Sequence, residues 1–97
     1  MEQNKKKELK LNYKFGDCTN LKDIYLDESF DYAIDKGTLD AIAVDIREET
    51  LEKCHAYFNE IIRILNNKNG VFMIVSLLQP HVLKIILDFF ILKNQVN

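Results

Sequence analysis

The alternation of apolar and polar residues along the chain predicts a short series of strands and helices. Leu9, Leu11, Tyr13 and Phe15 alternate with Lys10, Asn12 and Lys14, the period-two pattern of a strand with one wet face. Gly16-Asp17-Cys18-Thr19-Asn20 breaks that pattern with turn formers. After a polar stretch, Phe30 to Asp35 (FDYAID) reads as a buried strand that stops at Asp35-Lys36-Gly37. Leu51, Cys54, Phe58, Ile61 and Leu65 then recur at three- and four-residue steps, which places one apolar stripe along a helix. Asp45 has the character of an N-cap for it, with Glu48 at the capping-box spacing, and Asn66-Asn67-Lys68-Asn69-Gly70 supplies the stop. Val71 to Val75 is β-prone and apolar on both faces, as an interior parallel strand would be. Gln79-Pro80 ends that strand and opens a second helix from His81 to about Lys93, with proline in its first turn. Strand, loop, strand, helix, strand, helix is the order of an α/β protein with a parallel sheet and flanking helices.

Composition narrows the class without changing the element order. The chain has 97 residues, 47% hydrophobic and 29% charged, with a formal charge of −2, which fits a globular chain of one domain at most. Near-neutral charge removes the basic face that nucleic-acid binding wants. No apolar run reaches the roughly 18 residues that would span a bilayer. Residues 1–8 (MEQNKKKE) lack periodicity and read as a flexible lead-in to residues 9–97, and no apolar segment follows them as in a signal peptide. Two cysteines, Cys18 and Cys54, make neither a disulfide framework nor a zinc quartet, so a reducing, cytoplasmic setting is the expectation and no metal is implied. No P-loop and no G-x-G-x-x-G occurs.

Three segments, correctly spaced, resemble a known family. Residues 30–42, FDYAIDKGTLDAI, are similar to the strand-four signature of one branch of the class I S-adenosylmethionine-dependent methyltransferases. That branch holds the elongation factor 1-alpha lysine and N-terminal methyltransferases, with the methyltransferase domain associated with endothelin-converting enzyme 2. Gly16-Asp17-Cys18-Thr19-Asn20-Leu21 resembles the adenine-contacting loop after strand three, and Ser76 to Lys84 (SLLQPHVLK) the stretch after strand five. The resemblance covers residues 9–92. It implies a Rossmann-like methyltransferase fold, S-adenosylmethionine as cofactor, and a protein lysine or amino group as methyl acceptor. It also implies that the chain is incomplete. The Gly-rich loop, the first two strands and the terminal strand pair of the family have no counterpart here, since Gly16, Gly37 and Gly70 are scattered.

In the family's strand order, 3-2-1-4-5-7-6, strands one and two separate strand three from strand four. Without them the strand at 9–15 lacks its neighbour and the strand at 30–35 has an open edge. The expectations are that strand 9–15 pairs directly with 30–35, that two copies join through exposed sheet edges, or that further residues precede Met1 in the gene. A non-catalytic remnant of the fold, acting as an interaction or dimerisation module, is the alternative to an enzyme.

Ligands of open α/β sheets bind beyond the carboxyl ends of the strands, where Asp17, Asp35 and Ser76 all fall. By resemblance, Asp17 accepts from the adenine amino group and the Cys18 backbone N–H meets a ring nitrogen, although an aspartate here also suits an Asx-turn. Asp35 and Lys36 fall where the family meets the methionine portion; a strand stop with a solvated lysine is the plainer reading. Asp40 and His81 border the implied acceptor pocket, Asp40 as a group that could orient an amine or as a surface acid, His81 at the start of the second helix. Cys54, Tyr57 and Phe58 read as core.

Overall fold

The computed structural model describes residues 13–92. The proposed lead-in, residues 1–8, and residues 9–12 of the first expected strand lie outside the described residues. The elements are β1 (Tyr32–Lys36), α1 (Thr38–Ile42), α2 (Glu48–Ile64), β2 (Val71–Val75) and α3 (Pro80–Leu87), which runs on into a π-helical turn, Asp88–Leu92. β1 and β2 pair in parallel, Tyr32 opposite Val71 through Lys36 opposite Val75, and form the only sheet among the described residues.

The covered face of the sheet packs against α2. Ala33, Asp35, Phe72 and Ile74 alternate onto this face. Phe58, at 0% exposure, anchors the core, its ring 4.9 Å from Phe89 and 5.0 Å from Phe90. Leu39, Cys54, Val82 and Ile85 complete it from three helices. His55, beside the stripe, lies exposed with its ring 5.2 Å from Phe89.

The polar stretch 21–30 forms no regular element, yet it is held along α2. Buried Glu60 accepts the Leu21 N–H at 2.6 Å, and Arg63 donates from Nη1 to the Tyr25 carbonyl at 3.1 Å and to Asp27 at 2.8 Å. Glu28 and Phe30 N–H groups donate to the Arg63 and Ile64 carbonyls, where α2 leaves its last C=O groups open. The turn after α2 closes on Asn66, whose carbonyl accepts the Gly70 N–H at 2.8 Å; a Cβ on Gly70 would collide with that carbonyl.

Four expectations are corrected. Tyr13 to Phe15 belong to no strand, and Phe15 is fully exposed, so the direct pairing of 9–15 with 30–35 is absent among the described residues. Alternation makes a segment suited to a sheet but supplies no partner strand. The second strand starts at Tyr32, two residues later than expected, and ends at Lys36. β2 is not apolar-covered on both sides: Val71, Met73 and Val75 stand about half exposed beside Tyr32 and Ile34, because helices cover only one face. Finally, α2 has Arg47 at its N-cap without a side-chain cap; Asp45 instead accepts the Arg47 N–H and its guanidinium Nε–H.

Candidate functional site

The carboxyl ends of β1 and β2 carry two groups of polar side chains. The first is built on Asp35. Gly37, left-handed at φ 92°, turns the chain from β1 into α1 and brings no side chain to cap the helix. Asp35, 3% exposed, caps it from the strand: Oδ1 accepts the Thr38 N–H at 2.8 Å and Oδ2 the Leu39 N–H at 3.0 Å. The Tyr57 hydroxyl, from α2, donates to the same Oδ2 at 2.5 Å. Burial first, then that hydrogen bond to Asp35, pushes the Tyr57 phenol far above its ordinary range, so it acts as a fixed donor.

The loop Asp17–Asn20 lies beside this group. It is a closed turn in which the Asp17 carbonyl accepts the Asn20 N–H at 2.8 Å. Asp17 Oδ1 accepts the Thr19 hydroxyl at 2.6 Å and the Thr19 N–H at 2.9 Å, and these two bonds, in that order, hold the carboxyl below its usual value. Asp17 Oδ2 makes no hydrogen bond among the described residues, the Cys18 N–H bonds to no residue but its own thiol, and the Asp17 side chain faces solvent. The half-buried Cys18 thiol is raised by burial and then by Asp17, with Asp35 adding to the effect, and the thiol in turn acts on Tyr57. Such a thiol is a poor nucleophile.

The second group joins α1 to the loop after β2. Asp40 accepts the Ser76 hydroxyl at 2.5 Å and the Leu77 N–H at 3.1 Å; these two bonds, in that order, lower its carboxyl. Ser76 Oγ accepts the Leu78 N–H at 2.9 Å, and Leu78 takes a left-handed φ of 52°. His81 Nε2 lies 2.7 Å from the Ala43 carbonyl. Lys36 is exposed and forms no ion pair or side-chain hydrogen bond among the described residues.

Of the residues singled out from sequence, Asp17, Cys18 and Asp35 therefore come together, as do Asp40 and His81, and Lys36 stands at the rim of the first group. Both oxygens of Asp35 and of Asp40 are engaged within the protein. Tyr57 was read as core; it is core, but its hydroxyl is part of the site. The available signal was a tyrosine on the buried arc of α2, since a buried phenol needs a hydrogen-bond partner.

Two parallel strands joined through helices, with polar groups gathered beyond their carboxyl ends, make the arrangement of an α/β fragment. Among the described residues no three metal-ligating side chains converge, and no helix is long and apolar enough to cross a membrane. The chain is 40% identical over 89 residues to the eEF1A lysine and N-terminal methyltransferase homolog of Drosophila pseudoobscura pseudoobscura, and 39% identical over 89 residues to that of Drosophila melanogaster. Each match takes in 92% of this chain and 13% of the fly protein. The bovine eEF1A lysine and N-terminal methyltransferase is 35% identical over 83 residues, 86% of this chain and 11% of its own length. No protein-family model and no solved structure matches. Over most of its length the chain is thus similar to a short segment of proteins named eEF1A lysine and N-terminal methyltransferase, and it spans 11–13% of the length of these three relatives.

Proposed function

We propose that this chain is part of an S-adenosylmethionine-dependent methyltransferase that acts on a protein lysine or N-terminal amine in the cytoplasm, and that its own share of the work is to hold the cofactor. The relatives' names support methyl transfer to a protein. The observation that carries the cofactor role is the exposed Asp17 Oδ2, beside a Cys18 N–H that no other residue engages. Asp17 Oδ2 is an ionised acceptor, held in place because Thr19 occupies the other oxygen, and the Cys18 N–H is a donor one residue away. An adenine edge offers an amino donor next to a ring-nitrogen acceptor, the complement of that pair.

The bound cofactor would supply an electrophilic methyl group on sulfonium, for which an enzyme chiefly holds donor and acceptor in line. Asp17 and Cys18 serve the adenine end. Asp35, buried with both oxygens engaged, would serve by holding the Gly37–Leu39 turn, whose backbone, with Lys36, would border the methionine end. Asp40, engaged through both oxygens, and His81, on the Ala43 carbonyl, fix the loop after β2 as a wall of the acceptor side.

A second reading, a non-catalytic interaction module, is favoured by one observation: the bare apolar sheet face of Tyr32, Ile34, Val71, Met73 and Val75. Calorimetric titration with S-adenosylhomocysteine separates the two. Micromolar binding by the chain, lost in Asp17→Ala with the circular-dichroism spectrum unchanged, supports the cofactor site. Absence of heat with a folded chain refutes a self-sufficient cofactor site and leaves the module reading standing.

A further inference from the structure

Asp35 holds the Gly37–Leu39 turn, but a carboxyl on a rotatable side chain can serve two successive N–H groups only while its plane is fixed. Neither Gly37, which has no side chain, nor Thr38, which makes no capping bond, can fix it. Tyr57 can. It sits on the face of α2 turned to the sheet, 3% exposed, with its ring edge-on to Phe72 at 6.2 Å, so its hydroxyl is delivered from a rigid surface. That hydroxyl reaches Asp35 Oδ2 beside the Leu39 N–H and supplies the third contact that fixes the carboxyl plane. Leaving a phenol hydroxyl buried without a partner is costly, so the contact is strongly held.

We propose that Tyr57 is a positioning residue for the cofactor site, its hydroxyl fixing Asp35 so that the Gly37–Leu39 turn keeps its place beside the Asp17–Asn20 loop. The proposal rests on the cofactor reading above for its functional meaning, but the hold on the turn is measurable without a ligand. Tyr57→Phe removes only the oxygen. Amide hydrogen exchange in the 97-residue chain is expected to quicken roughly tenfold at Thr38 and Leu39, as for loss of one hydrogen bond to a charged acceptor. Amides in the middle of α2, such as those of Phe58 and Ile61, should keep their rates, which a general loss of stability would not allow. S-adenosylhomocysteine should bind roughly tenfold more weakly to Tyr57→Phe, and adding Tyr57→Phe to Asp35→Asn should cause no further loss. Should Tyr57→Phe prove too unstable to measure in buffer alone, the same comparison in trimethylamine oxide, which favours the folded chain, must show the same local quickening at Thr38 and Leu39. Unchanged exchange at those two amides, or equal acceleration throughout α2, overturns the proposal. Failure of the unsubstituted chain to bind S-adenosylhomocysteine would sink the cofactor reading, while the exchange rates still decide what Tyr57 does.

Discussion

Replacing Glu60 by Gln tests whether the irregular stretch 21–30 is held by charge. Glu60 is 7% exposed; it accepts the Leu21 N–H at 2.6 Å and two Arg63 N–H groups at 3.1 and 3.2 Å. The amide can still accept from Leu21, but it brings its own N–H donors toward the guanidinium. Each bond to a charged partner contributes about 1.5–3 kcal/mol when well buried. Arg63 is one-fifth exposed and retains Asp27 and the Tyr25 carbonyl, so the loss is discounted to about 2 kcal/mol. Urea unfolding should show this as a lower midpoint at neutral pH with an unchanged slope.

The pH dependence of that difference follows from the Arg63 hydrogen bond, which holds the folded Glu60 carboxyl below its ordinary value of 4.5. A carboxyl depressed by folding stabilises the native chain above its unfolded pKa, and that contribution fades as pH falls through the folded value. The gap between the parent chain and Glu60→Gln should therefore be constant above about pH 5 and close as the solution is made more acidic. A gap equal at pH 7 and pH 3, or one below about 0.5 kcal/mol at pH 7, would refute the account of the clamp.

Phe58→Ala removes the ring at the centre of the aromatic cluster and should cost about 3–5 kcal/mol. That is much of what a chain this size holds, so loss of the cooperative thermal transition is the expected calorimetric result. Gly37→Ala meets no neighbour within 4 Å, so its cost is the left-handed backbone alone, about 1–2 kcal/mol, read as a shift in the urea midpoint. Ile34→Lys and Met73→Lys fall on the bare sheet face; they should leave stability within about 0.5 kcal/mol while lowering dye binding and concentration-dependent association in sedimentation. Association that persists in the double variant would locate self-contact elsewhere.

The local elements were legible because short-range patterns dictate them. Val71–Val75 is the strand that its run of β-prone residues predicts, and α2 carries Cys54, Phe58 and Ile61 inward as their spacing requires. Helix α3 begins at Pro80, where a missing N–H costs nothing. Among the described residues, Tyr13 to Phe15 form no strand, because alternation shows suitability for a sheet and says nothing about whether a neighbouring strand exists. Asp45 misled for a related reason: the helix takes Arg47 as its N-cap, and the Asp45 carboxylate, bonded to the Thr50 side chain and to Arg47, stands outside it.

For the site, the sequence by itself marked out the residues: Asp17, Asp35, Lys36, Asp40 and His81 were singled out by element order and by the DKGTLDA segment, and Asp35 and Lys36 do close β1. Tertiary structure decided what each is free to do. Asp35 and Asp40 read as ligand-facing acids, but Tyr57 and Ser76, 22 and 36 residues away, engage them, while Asp17 keeps one oxygen open. Hydrogen bonds between distant segments depend on how α2 and the two strands pack, and that packing is a property of the assembled core, which no local pattern encodes.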